Sequence, residues 1–169
     1  LKNREKIGLA KANESLSQKK EFIINKVELK VKEFLHQTKF DQTTAKLLCS
    51  FLYWAEGAKI HSNKISFVNS DPIMIGTFIK LFRSSFKLDE KKFRALVHVH
   101  EYHNEVKIKN YWFKITNIPL SQFSKSYLKP HTKKTIREGY KGCLQLNYYD
   151  WQIALEIRLI YNMLGQSII

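Results

Sequence analysis

TTAKLLCSFLYWAEGAKIHSNKISFVNSDP, residues 43–72, decides the fold. Thr43 or Thr44 can cap a helix on which Leu47, Leu48, Phe51, Leu52 and Ala55 recur. Gly57 then stops it, a residue suited to a left-handed C-terminal cap. Such a helix is apolar nearly all round, which predicts that it is buried or lies at an interface. Lys59 to His61 and Ile65 to Val68 read as two short strands, with Ser62-Asn63 as the turn of a tight hairpin. Ser70-Asp71-Pro72 starts the next helix, with an oxygen-bearing cap and then proline where its missing N–H is no loss.

Downstream, Ile75, Phe78, Ile79, Phe82 and Phe86 supply the stripe of that helix. Phe93 to His100 alternates as a strand, with Leu96, His98 and His100 on one face and Ala95, Val97 and Val99 on the other. Asn104 opens a helix carrying Ile108, Tyr111, Trp112 and Ile115, closed before Pro119. Phe123 to Leu128 is a candidate strand, Lys129 to Lys141 a basic loop, and Cys143, Leu144, Leu146 and Tyr148 lie in the last strand. Asp150 caps a final helix striped by Ile153, Ile157, Ile160, Tyr161 and Leu164 and ended by Gly165. Upstream, residues 1–21 have mixed charge and no apolar stripe, as in a solvated segment or arm. From Phe22 the spacing Ile23, Val27, Val31, Phe34 reads as a helix, although Val27, Leu29 and Val31 also alternate like a strand. Strands come in runs between helices without a β-α-β rhythm. The expectation is an α+β fold, a mixed and mostly antiparallel sheet with helices on one face. Residues 1–43 form a basic helical extension, and 44–169 the domain.

The chain has 169 residues, enough for a single core, and carries 29 Lys+Arg against 15 Asp+Glu, a net charge of +14. A surplus of this size repels itself in the compact state and points to a polyanionic partner, nucleic acid before an anionic membrane. The longest clean apolar run, Phe51 to Ala55, falls far short of a membrane span, so a soluble, cytoplasmic protein is expected. Cys49 and Cys143 make neither a disulfide framework nor a zinc site and read as small buried apolar side chains. With 6 glycines the chain has no place for a phosphate-binding glycine loop, and no Ser–His–Asp spacing is present. Leu rather than Met stands first, which fits a chain with something missing upstream.

The positive charge is uneven. Lys107, Lys109, Lys114, Lys125, Lys129, Lys133, Lys134, Arg137 and Lys141 face the single acid Glu138 and are interleaved with Tyr111, Trp112, Tyr127, His131 and Tyr140. Ammonium groups in this density hold phosphates, while hydroxyls and rings pack on sugar and backbone. Lysines position a duplex without reading it. Base reading needs polar groups on a strand pair or helix, and the candidates on β positions are Asn63, Lys64, Ser66, Asn69, Gln145 and Asn147. His98, His100 and His103, with Glu101, form another constellation, open to three readings: convergence on a transition metal, a DNA- or partner-facing surface, or ordinary half-buried histidines.

Leu52, Ala55, Glu56 and Gly57 match the Leu, Ala, acid and Gly of the LAGLIDADG motif, and the element order from residue 44 onward resembles that homing-endonuclease-like family with one extra helix. Leu52-Tyr53-Trp54-Ala55-Glu56-Gly57-Ala58-Lys59 followed by Ser66-Phe67-Val68-Asn69-Ser70-Asp71-Pro72 is also similar to a group of bacterial proteins in which a helix-turn-helix often precedes such a domain. The resemblance implies a saddle-shaped sheet lying on double-stranded DNA, with Lys59 and Lys64 added to the basic stretch as DNA contacts. It also implies that Glu56 from each of two copies holds Mg²⁺ beside the scissile phosphates. One motif per chain then implies a homodimer. Three functions follow from it: a metal-dependent endonuclease, a non-cleaving DNA-binding transcriptional regulator, and an RNA-binding or splicing-assistance protein.

Overall fold

The structure, a computed structural model, describes residues 2–59, 63–130 and 139–168, with side chains from residue 13 onward. The chain divides into two units, Leu1–Phe40 and Asp41–Ile169. The first is one helix, α1, Lys2–Gln37. It takes in the stretch expected to be a solvated arm, because residues 2–21 are rich in Lys and Glu, carry Ala and Leu among them, and contain no proline. Intrinsic propensity sustains a helix there without an apolar stripe.

The second unit runs α2 (Gln42–Glu56), β1 (Ile65–Asn69), α3 (Pro72–Ser85), β2 (Phe93–Val99), α4 (Glu105–Thr116), β3 (Tyr127–Leu128), β4 (Cys143–Tyr148) and α5 (Trp151–Ile168). The sheet order is β1-β4-β2-β3. β4 is antiparallel to both its neighbours, and the short β3 lies parallel to β2. This is an α+β fold. One sheet face presents Ile65, Phe67, Phe93, Ala95, Val97, Leu144, Leu146 and Tyr148, all buried. Helices cover that face with Cys49 and Tyr53 of α2, Phe78 and Phe82 of α3, Trp112 of α4 and Ile157 of α5. Phe67 stacks on Phe78 at 4.0 Å between ring centroids, coupling β1 to α3. Each such ring contributes about 1.5–3 kcal/mol by leaving water. Burial pushes the Cys49 thiol up to about 12, as expected for a small apolar filler.

Several local expectations are corrected. The cap of α2 is Asp41, whose carboxylate accepts from Thr44 N at 2.7 Å, rather than a threonine. Gly57 has φ −74° and ψ 165°, extended and not left-handed. It is glycine because a Cβ would overlap the Tyr53 ring and carbonyl oxygen. Gly165 does not end the last helix: α5 runs through it to Ile168. The pairing partner of β1 is β4, and the expected hairpin strand Lys59 to His61 falls mostly outside the described residues. Of the candidate strand Phe123 to Leu128 only Tyr127–Leu128 forms, because Leu120–Gln122 makes a 3-10 turn and Gln122 donates to the carbonyls of Glu90 and Phe93 at 2.8 Å. Among the described residues no helix is long and apolar enough to cross a membrane.

Candidate functional site

The sheet face opposite the helices carries the polar side chains. Alternation along three paired strands stacks them in rows. Ser66, Asn147 and Arg94 form one row, Val68, Gln145 and Leu96 the next, and Cys143, His98 and Tyr127 the third. Gln145 ties the rows together. Its amide nitrogen donates to Ser66 Oγ and Asn147 Oδ1, both at 3.2 Å, and its carbonyl oxygen faces His98 Nε2 at 3.4 Å. Four side chains from three strands therefore hold one another in a polar network, a platform in which Ser66 and Asn147 are buried and Gln145 and His98 half-buried, while Arg94 and Tyr127 are exposed beside it. These are the group types that read base edges.

Cations lie at both ends of this face. At one end Lys129 N donates to Val99 O at 2.7 Å, fixing the chain after β3, and Lys141 precedes β4, its carbonyl accepting from Trp112 Nε1 at 2.9 Å. Lys125 lies toward the opposite end, since it follows Ser124, whose N–H donates to Ala95 O at 2.8 Å near the start of β2. At the other end stand Lys64, Lys91 and Arg94, with the Lys64 ammonium 5.3 Å from the Tyr149 ring centroid. Lys91, Arg94 and Tyr149 escape a reading based on runs of charge. Strand parity carries the signal for Arg94, since it alternates with Leu96 and His98.

The basic stretch of 107–141 does not act as one patch. Lys107, Lys109 and Lys114 lie on α4, a helix of the layer that covers the core face, and Lys109 pairs with Glu105 at 2.7 Å. Lys133, Lys134, Arg137 and His131 fall outside the described residues. Lys59 is exposed just past α2. Asn69 is not a base reader: it ends β1 with the core-face parity, and its side chain accepts from Asp71 N at 2.9 Å and donates to Glu56 at 3.4 Å.

The three histidines do not gather. His98 faces the platform beside Tyr127, whereas His100 Nδ1 donates to Lys129 O at 2.9 Å and His103 Nδ1 accepts from His100 N at 2.9 Å. His100 and His103 each commit Nδ1 to folding this turn, and His103 Nε2 is buried with no hydrogen-bond partner among the described residues. Among the described residues no group of three or more metal-ligating side chains is assembled. Burial and the neighbouring His100 hold the His103 imidazole below its ordinary value.

Glu56 is exposed at the foot of α2, with the Asn69 amide as its neighbour. A magnesium ion on nucleic acid uses one or two carboxylates together with phosphates and waters. Glu56 fits one such position. The outer side of α2 leaves Leu47, Leu48 and Trp54 at 39–43% exposure, and Ala55 is also exposed, while Leu52 packs partly on the core. Trp54 lies flat on Tyr161 of α5 at 5.5 Å and 3°, and Leu155 and Leu159 of α5 are exposed as well.

Comparison of the chain with protein-family models, with curated proteins and with solved structures finds no match.

Proposed function

We propose that this protein binds duplex DNA on the open face of its sheet, as a homodimer joined along α2 on a LAGLIDADG-like scaffold. The observation that carries the reading is the asymmetry of the sheet: one face is sealed by helices, and the other is a hydrogen-bonded polar platform with cations at both ends. Backbone phosphates take the lysines, and the platform meets the groove. The apolar outer side of α2 leaves Leu47, Leu48 and Trp54 exposed on the helix-bearing side of the sheet, so a second copy joined there leaves the open face uncovered. The test is binding of random-sequence duplex DNA across a salt series, with the oligomeric state measured by light scattering. Salt-independent binding, or none, overturns the reading.

Cleavage is a finer reading that Glu56 supports by its position alone. A divalent ion held by Glu56 of each copy would supply activated water at the phosphate. Glu56→Gln keeps the side-chain shape and removes the charge. Loss of Mg²⁺-dependent cleavage with DNA affinity retained in Ca²⁺ identifies an endonuclease, and a wild-type protein that binds without cutting identifies a regulator.

A further inference from the structure

We propose that a groove at the Arg94 end of the sheet holds an unpaired nucleotide next to the bound duplex, an inference that rests on the nucleic-acid reading above. Two adjoining hollows of about 490 and 350 Å³ share Lys92 and Tyr149 as walls. Lys91, Arg94 and Ser124 line one, and Asn63, Trp151 and Gln152 the other. Both hollows are shallow and open to solvent, as a site for one nucleotide of a larger chain would be. The charge inside is one-sided. Lys92 is cancelled by Asp150 at 2.7 Å, and the Asp150 carboxyl is held low by that lysine and by the α5 N–H groups it caps. Among the described residues neither Lys91 nor Arg94 has an ion-pair partner. Arg94 Nη1 donates to the Lys91 and Phe93 carbonyls at 2.7 and 2.6 Å, so its guanidinium is held in place before any anion arrives. A pre-set fork of this kind suits phosphate.

Phosphate alone does not account for the two rings. Tyr149 and Trp151 are 51% and 57% exposed at the groove, and Lys64 sits by the Tyr149 ring. In a duplex the base faces are already stacked on each other. Exposed rings beside a cationic groove instead suit a base with a free face, as in single-strand recognition. The Tyr149 side chain would take the base, Arg94 and Lys91 the adjoining phosphate, and Ser124 and Asn63 the sugar or base edge.

Fluorescence anisotropy on the full chain tests this with a blunt duplex, the same duplex bearing a short single-stranded overhang, and a mononucleotide as competitor. The overhang should tighten binding about tenfold, within what one stacked base contributes. Tyr149→Ala should erase that gain, bringing the overhung duplex to the affinity the same variant shows for the blunt one, while Tyr149→Phe keeps it. Arg94→Ala should weaken the overhang complex and lower its salt dependence. Equal, salt-dependent affinity for blunt and overhung duplexes overturns the groove and leaves the duplex reading standing. An overhang gain that survives both alanine variants also overturns it, as does a mononucleotide that binds as tightly as the overhang. Absence of all nucleic-acid binding removes both proposals.

Discussion

The side-chain amide of Gln145 donates to Ser66 Oγ across the β1–β4 pair at 3.2 Å, so a residue of the central strand fixes a hydroxyl of the edge strand. The same amide holds Asn147. Gln145→Ala should therefore loosen three polar groups at once without touching the core on the other face. Folding stability should fall by about 1 kcal/mol or less. Discrimination among duplex sequences, read by selection from a random pool, should fall while the salt slope stays the same.

The two groups of lysines should separate in a salt titration. Lys129→Ala and Lys141→Ala, at the end of the open face, should each flatten the slope of log affinity against log salt by about 0.9 on B-DNA. Lys107→Ala and Lys114→Ala, on the helix layer, should leave it unchanged. An equal response of both pairs would place the DNA elsewhere.

Ala55 is exposed on the outer side of α2 beside Trp54. Ala55→Arg puts an unpaired charge on that apolar side and should convert a dimer to a monomer in light scattering, with the circular dichroism spectrum unchanged. A protein that is monomeric before the substitution contradicts the interface.

Gly57→Ala should destabilise by about 1–3 kcal/mol, because the added methyl overlaps Tyr53 and the backbone has to move. Urea unfolding measures it. The φ of Gly57 is open to any residue, so an undiminished midpoint would show that the Tyr53 ring and the backbone at its carbonyl both give way.

Acid stability should depend on Asp150. Its carboxyl is lowered from the ordinary 3.8 by the Lys92 hydrogen bond and by the N–H groups of Ile153 and Gln152. A depressed folded value means the contribution is complete above the unfolded value, and it is lost as pH falls through the lower folded one. Asp150→Ala should cost about 1 kcal/mol at neutral pH, the usual loss for a cap, and should flatten the acid limb of stability against pH. The His103 turn has the same sign, since its imidazole lies below the ordinary 6.5. Its contribution is complete above that value and fades below it.

Much of the fold was legible because periodicity is a local property. The stripe Ile75, Phe78, Ile79, Phe82 is buried on α3 as its spacing predicts, with Asp71 and Pro72 at its start. Ala95, Val97 and Val99 alternate into the core, and Leu96 and His98 stay on the other side. Asn104 caps α4, and Trp112 is fully buried. The ends were less legible. Gly57 and Gly165 look alike as helix stops, yet Gly57 is required by the Tyr53 ring and carbonyl packed against it, and Gly165 lies inside α5, outcomes that no local spacing encodes.

The sequence by itself determined the α+β class, the faces of its main elements and the excess of positive charge, since each depends on residue type and on spacing within one helix or strand. Only the tertiary structure decided how that charge is distributed. Strand order brought Arg94 beside Asn147 and Ser66, and helix packing carried Lys107 and Lys114 to the other layer. The turn of residues 100–103 ties His100 to His103, while strand parity sets His98 against Gln145 and Tyr127. Those outcomes depend on pairing between segments far apart in the chain, where a shift of one residue in register would turn every side chain of a strand to the opposite face.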